Sequence, residues 1–258
     1  MNSVSFTSSL LFPYTGQQHR LYNIHPKLHT SCIYKSIQFS ASNARSSLAC
    51  AKIQLEEGLV PVMDLEELGE KDWSFLKVES MKSKHEHDRK VDQIISAGNV
   101  VDISKILVSM GSDDFVNRLI ESSPSQLLFV VHESFLTLAC IKEMHDEVKC
   151  WQGGFISAPE KWALFDVVFL YYLPAFPFKL EETFKALACR CAPGARVVIS
   201  HLQGRQGLEQ ERRKYPDNVV SDLPDKSTLE SVASNHSFRM KEYIDDPNFY
   251  LAVLAFKP

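Results

Sequence analysis

Short apolar runs recur along the second half of the chain at the lengths of buried strands, and helically patterned polar stretches separate them. The longest run, 165–173, carries one charge, Asp166, and gives way to Pro174 and Pro177. A helical pattern follows, then Pro193 and Gly194, then the β-branched Val197, Val198 and Ile199. Two apolar runs with a helix between them predict a strand–helix–strand unit buried on both faces, as in a parallel sheet. Such sheets bind small ligands beyond the carboxyl ends of their strands. Tyr171, Tyr172, Ser200 and His201 therefore mark where a site is expected.

From residue 100 the same pattern predicts strands at 105–109, 126–131 and, more weakly, 148–151. Helices are expected from Phe115 up to Pro124 and over 135–147, with Ser112 or Asp113 capping the first. Residues 206–217 predict an exposed helix, and Ser227 with Glu230 resembles a capping box that opens a last one. A closing strand pair, 238–244 and 250–256, is joined by a turn at 245–248. Upstream, 81–97 predicts a helix with Val91, Ile94 and Ile95 on one face, ended by Gly98 and Asn99. Trp73, Phe75 and Leu76 form an apolar knot expected to dock on the main domain. His85 and His87 lie two apart, so on a helix they diverge. Their polar neighbours predict a solvated helix face, with no metal site.

Composition changes the picture mainly at the amino terminus. Overall, 45% hydrophobic and 23% charged residues are the values of a soluble globular protein. The first acidic residue, however, is Glu56. Residues 1–50 hold Arg20, Lys27, Lys35 and Arg45, no acid, and many serines and threonines. That composition predicts a transit peptide of the plastid type, cleaved near Ala51, and a location in the chloroplast stroma. The organisation expected is transit peptide 1–50, N-terminal helical extension 51–99 and main domain 100–258. Without the four basic residues of the leader, 24 basic side chains face 32 acidic ones, which argues against a nucleic-acid partner. Arg205 with Arg212, Arg213 and Lys214 reads as a solvated helix face. Cys140, Cys150, Cys189 and Cys191 form no C-x-x-C pair and are expected as thiols. The longest apolar stretch is proline-broken and too short to cross a bilayer.

The order of elements, with Phe165-Asp166-Val167-Val168 similar to a fourth-strand F-D-x-V, resembles the class I S-adenosylmethionine-dependent methyltransferases over residues 100–258. The stretch from Cys191 to Ile199, with Pro193-Gly194, is similar to the family's L-K-P-G-G-x-L-x-I turn into its fifth strand. The resemblance implies an α/β, Rossmann-like methyltransferase fold. This is a mostly parallel seven-stranded sheet with helices on both faces and the seventh strand antiparallel. It also implies S-adenosylmethionine as cofactor. Ser109, Met110, Gly111 and Ser112 then stand in the G-x-G-x-G loop, whose missing side chains let backbone amides approach the ligand. Aligned without gaps, Met110, Ser112 and Asp114 occupy the glycine positions. Glu133, ending the second strand, is assigned to the ribose hydroxyls, since a carboxylate accepts two hydrogen bonds. Its other reading is a favourable charge at the start of a helix. Gln152 and Gly153 face the adenine, or simply close a turn. The resemblance assigns Tyr171 to the cofactor side and Tyr172 to the substrate side; the other reading of both is core packing with a hydroxyl at the rim.

The (D/N)-P-P-(Y/F) of base and amine methyltransferases is absent from Leu170–Pro174, which argues against base methylation. His201 is the candidate general base, its ordinary pKa suited to proton transfer, or else a loop histidine bonding the backbone. Arg205 is a candidate for an anionic substrate group. Two functions follow. One is a plastid methyltransferase acting on a small-molecule or protein substrate, in which positioning does most of the work. The other is a non-catalytic methyltransferase-fold factor in a plastid protein complex. Another nucleotide-binding α/β enzyme would need an intact glycine loop, which the chain lacks.

Overall fold

The computed structural model describes residues 70–76, 83–123 and 127–258, which fall within the unit Val60–Pro258. The expected transit segment 1–50 lies outside the described residues. In chain order the elements are α1 (Lys84–Gly98), β1 (Lys105–Ser109), α2 (Asp113–Ser122), β2 (Leu127–His132), α3 (Phe135–Met144) and β3 (Lys149–Gln152). There follow β4 (Phe165–Leu170), α4 (Leu180–Ala188), β5 (Cys191–His201), α5 (Gly204–Lys214), α6 (Lys226–Asn235), β6 (Phe238–Asp246) and β7 (Phe249–Phe256).

The strands form one sheet in the order β3-β2-β1-β4-β5-β7-β6. Strands β1 to β5 pair in parallel, and β7 runs antiparallel to both β5 and β6. Successive side chains of a strand point to opposite faces, and here both faces are apolar. Leu107, Phe129, Val131, Val168, Leu170, Val197 and Ile199 join one buried cluster, with Phe184 of α4, Leu208 of α5 and Leu229 of α6. Ile106, Val108, Leu128, Val130, Val167, Phe169 and Val198 join the other, with Ile94 of α1, Phe115 of α2 and Ile141 of α3. Burying each large side chain contributes roughly 1.5–3 kcal/mol, so the sheet is held from both sides. The architecture is α/β, mostly parallel and Rossmann-like, as the resemblance implies.

Several local expectations are corrected. Where the five β-α units implied by the resemblance would put a helix between β3 and β4, two 3₁₀ turns stand, Phe155–Ser157 and Glu160–Trp162. The intervening Pro159 explains why no longer helix forms. Helix α3 stops at Met144, short of residue 147. Pro193 and Gly194 lie inside β5, in an irregular stretch where the register against β4 shifts. The last helix is capped by Asp225, which accepts from Thr228 N at 2.9 Å, so no Ser227–Glu230 box opens it. His87 is buried, because α1 lays that face on the sheet. Its neighbour Lys90 is buried too, donating to the Leu202 and Asn248 carbonyls.

Candidate functional site

The candidate residues end up where the parallel strands stop. Met110 N donates to Val131 O, Gly153 N to His132 O and Tyr171 N to Ser109 O, each within 3.0 Å. The ends of β1, β2, β3 and β4 are thus fixed side by side. Ser112 caps α2, its hydroxyl accepting from Phe115 N. Ser134 caps α3 in the same way, accepting from Thr137 N. Glu133 stands between β2 and that cap, its side chain 32% exposed. Gln152 Nε2 donates to the Glu133 carbonyl at 3.2 Å, and Gly153 turns the chain at a φ of 123°.

Residues 70–76 lie across these ends. Lys71 Nζ is 3.0 Å from Glu133 Oε2. Glu70 accepts from Ser134 Oγ and from Leu136 N at the start of α3. Trp73 presents an edge-on contact to His132, with centroids 5.2 Å apart. Phe75 meets Tyr172 at 5.3 Å and stacks on Tyr215 at 4.6 Å. At the far side, Asn218 Nδ2 donates to the Asp72 carbonyl. Trp73, Phe75 and Leu76 are buried, so the apolar knot docks as expected.

Beneath Phe75 is a buried polar group. Glu211 Oε2 accepts from the Tyr172 hydroxyl at 2.7 Å and lies 3.0 Å from His201 Nε2, while Gln203 Nε2 donates to Glu211 Oε1 at 3.1 Å. Burial, and then the Glu211 charge, push the Tyr172 phenol far above its ordinary range, so it stays a donor. His201 is 1% exposed and does not stand open at the strand end. Tyr171 is buried on the opposite face against Phe115, its centroid 4.4 Å away. The structure therefore separates the two tyrosines. Arg205 is also engaged within the fold. Its guanidinium forks onto Asp245 at 2.9 Å and donates to the Leu223 and Pro224 carbonyls. Its side chain stays 40% exposed, whereas Glu211 is buried and departs from the expected exposed helix.

The fit of S-adenosylmethionine differs between the two halves of the cleft. At the nucleoside side, Glu133 offers a carboxylate, and Ser109 Oγ, His132 Nε2 and Trp151 Nε1 are buried without a hydrogen-bond partner at the ends of β1, β2 and β3. At the loop, Met110 sits at a φ of 60° with its side chain 1% exposed in the core. That left-handed backbone costs a residue with a side chain about 1–2 kcal/mol. A Cβ on Gly111 would collide with Val108, so this glycine, out of register with the motif, serves packing. The Ser112 hydroxyl is used as a cap. Lys71 on Glu133 and Trp73 on His132 occupy groups that a bound nucleoside would use. Among the described residues, no three His, Cys, Asp or Glu side chains are grouped to hold a metal. No described helix is long and apolar enough to cross a membrane.

No family model and no curated protein matches the chain in sequence. Solved structures do match it in fold. The N-methyltransferase NodS from Bradyrhizobium japonicum WM9 matches with a TM-score of 0.52 at 11% identity, over 69% of this chain and 100% of that one. A chain from the complex of the Haloferax volcanii Trm112 methyltransferase activator matches at 0.56 and 10% identity, over 72% and 97%. The plantazolicin methyltransferase BpumL, solved with a monoazolic desmethylPZN analog and SAH, matches at 0.54 and 10% identity, over 68% and 86%. At such identities the likeness is one of fold alone, a Rossmann-like fold shared with solved methyltransferases.

Proposed function

We propose that this chain is an S-adenosylmethionine-dependent methyltransferase of the plastid stroma, with its cofactor cleft at the carboxyl ends of β1, β2 and β3. The observation that carries the reading is Glu133. It is a partly exposed carboxylate immediately after β2, and the ends of β1, β2 and β3 each carry a buried polar atom that lacks a partner. A ribose diol is the ligand group that a carboxylate holds through two hydrogen bonds. The methyltransferase names of the structural neighbours, one of them with SAH bound, support the same reading. No transfer step follows from the conformation with Lys71 on Glu133. The methyl acceptor is a small molecule or a protein.

A second reading, a non-catalytic binding or assembly factor in a plastid complex, is favoured by Met110. Its side chain is packed into the core where the family keeps a glycine loop. Calorimetric titration of the full chain with S-adenosylmethionine separates the two. The enzyme reading expects saturable heat, weakened by about 1–3 kcal/mol in Glu133→Gln, the scale for hydrogen bonds to a charged group. Absence of heat at millimolar ligand, both in the wild type and with Trp73 and Phe75 replaced by alanine, overturns it in favour of the binding factor. The location is tested separately. A reporter fused to residues 1–55 is expected in plastids, and a cytosolic reporter contradicts that.

A further inference from the structure

Residues 70–76 are docked by side chains, not by backbone pairing. The one backbone–backbone hydrogen bond described for them is internal, from Leu76 N to Trp73 O. Lifting the segment would therefore break no sheet ladder. Its polar hooks are half-exposed, with Lys71 and Glu133 side chains at 40% and 32%. Exposed pairs of this kind contribute little, so the hold comes from the buried rings. The contacts span the cleft, from Glu133 and Ser134 at the β2–α3 junction to Tyr215 and Asn218 after α5.

What the segment touches is more specific than an apolar surface. Lys71 takes the carboxylate that the cofactor reading needs, and Trp73 covers His132, whose Nε2 is left buried and unpartnered. Phe75 fills a slot between Tyr172 and Tyr215, directly above the Glu211–His201 pair. An ion pair and two aromatic rings thus cover Glu133, His132 and Tyr172.

We propose that residues 70–76 are an autoinhibitory strap, an intramolecular occupant of the ligand cleft that must lift from Glu133, His132 and Tyr172 before a nucleoside ligand enters. The proposal rests on the assignment of Glu133 to the cofactor. A strap of this kind makes apparent affinity depend on the fraction of molecules in which it is open. Loosening it tightens binding without any new contact to the ligand.

The test is calorimetric titration of the full chain with S-adenosylhomocysteine, comparing wild type with the double variant Trp73→Ala, Phe75→Ala. The strap predicts at least tenfold tighter binding in the variant. Equal or weaker binding in the variant overturns the strap while leaving the cofactor reading in place. Binding by neither protein overturns the cofactor reading and the strap with it. Should the double variant unfold, Lys71→Ala serves, because it removes a half-exposed ion pair and leaves the core intact. A gain of threefold or more is expected, and unchanged or weaker affinity overturns the strap. Tryptic cleavage after Lys71 gives an independent readout. S-adenosylhomocysteine is expected to accelerate it in the wild type, and protection of that bond contradicts the strap.

Discussion

The Tyr172 hydroxyl donates to the Glu211 carboxylate at 2.7 Å, joining residues 39 positions apart in a place where Tyr172 is 3% and Glu211 7% exposed. A buried carboxylate is stable only while its hydrogen bonds are complete. Here Tyr172, His201 and Gln203 supply them. The network ties the end of β4 to the end of β5 and to α5, and its upper surface is where Phe75 rests.

Removing the acceptor strands three groups at once. Glu211→Ala is expected to cost about 3–5 kcal/mol, since it leaves several buried donors without their acceptor at about 1–3 kcal/mol each. Tyr172→Phe removes one donor and is expected to cost about 1–3 kcal/mol. Urea unfolding of both variants checks the order, and a cost below about 1 kcal/mol for Glu211→Ala would contradict a network that depends on this acceptor.

His132 gives a pH signature. Burial pushes it down to about 3 from an ordinary 6.5. Between those values the unfolded chain binds a proton that the folded chain refuses. Stability therefore falls as pH falls, by up to about 1.4 kcal/mol per pH unit from this residue. His132→Asn keeps an acceptor for Ser134 N, now 2.8 Å from Nδ1, and removes the titration. From about pH 6.5 to 4.5 the variant's stability curve is expected to be flatter by roughly 1 kcal/mol per unit. Identical slopes for the two proteins would place His132 in water.

Arg205 is expected to matter for folding and not for ligand. Arg205→Lys keeps the charge but loses the planar fork onto Asp245 and the two carbonyl contacts. A loss of roughly 1–2 kcal/mol is expected, with ligand affinity unchanged. A variant of wild-type stability with weakened binding would return Arg205 to the site.

The contrast between Trp73 and Glu211 shows what could be read from sequence. Trp73, Phe75 and Leu76 are large and apolar in a charged neighbourhood, so their docking was legible without knowing the surface beneath. Strands β1, β2, β4, β5 and β7 were legible for the same reason, as apolar runs of strand length. Glu211 was not. The buried face of α5 is Gly204, Gly207, Leu208 and Glu211, with spacing typical of a helix face. With two glycines and a glutamate, that face offers Leu208 alone as an apolar signal. Its burial depends on Tyr172 and His201, which only the fold brings there. The spacing alone, small residues and a leucine three and four apart, was the signal available. The doubled role of Glu133 is similar. Its place at a strand end was legible, and its ion pair with Lys71, 62 positions away, was not.

Hydrogen exchange of the full chain with and without S-adenosylhomocysteine tests the central claim most directly, because it reports the cleft and its cover together. Ligand is expected to slow exchange at the amides of 109–112, 133 and 152–153, and to quicken it at 71–76. Slower exchange across 71–76, or no change at the ends of β1, β2 and β3 under saturating ligand, would contradict a cofactor cleft shut by the chain's own segment.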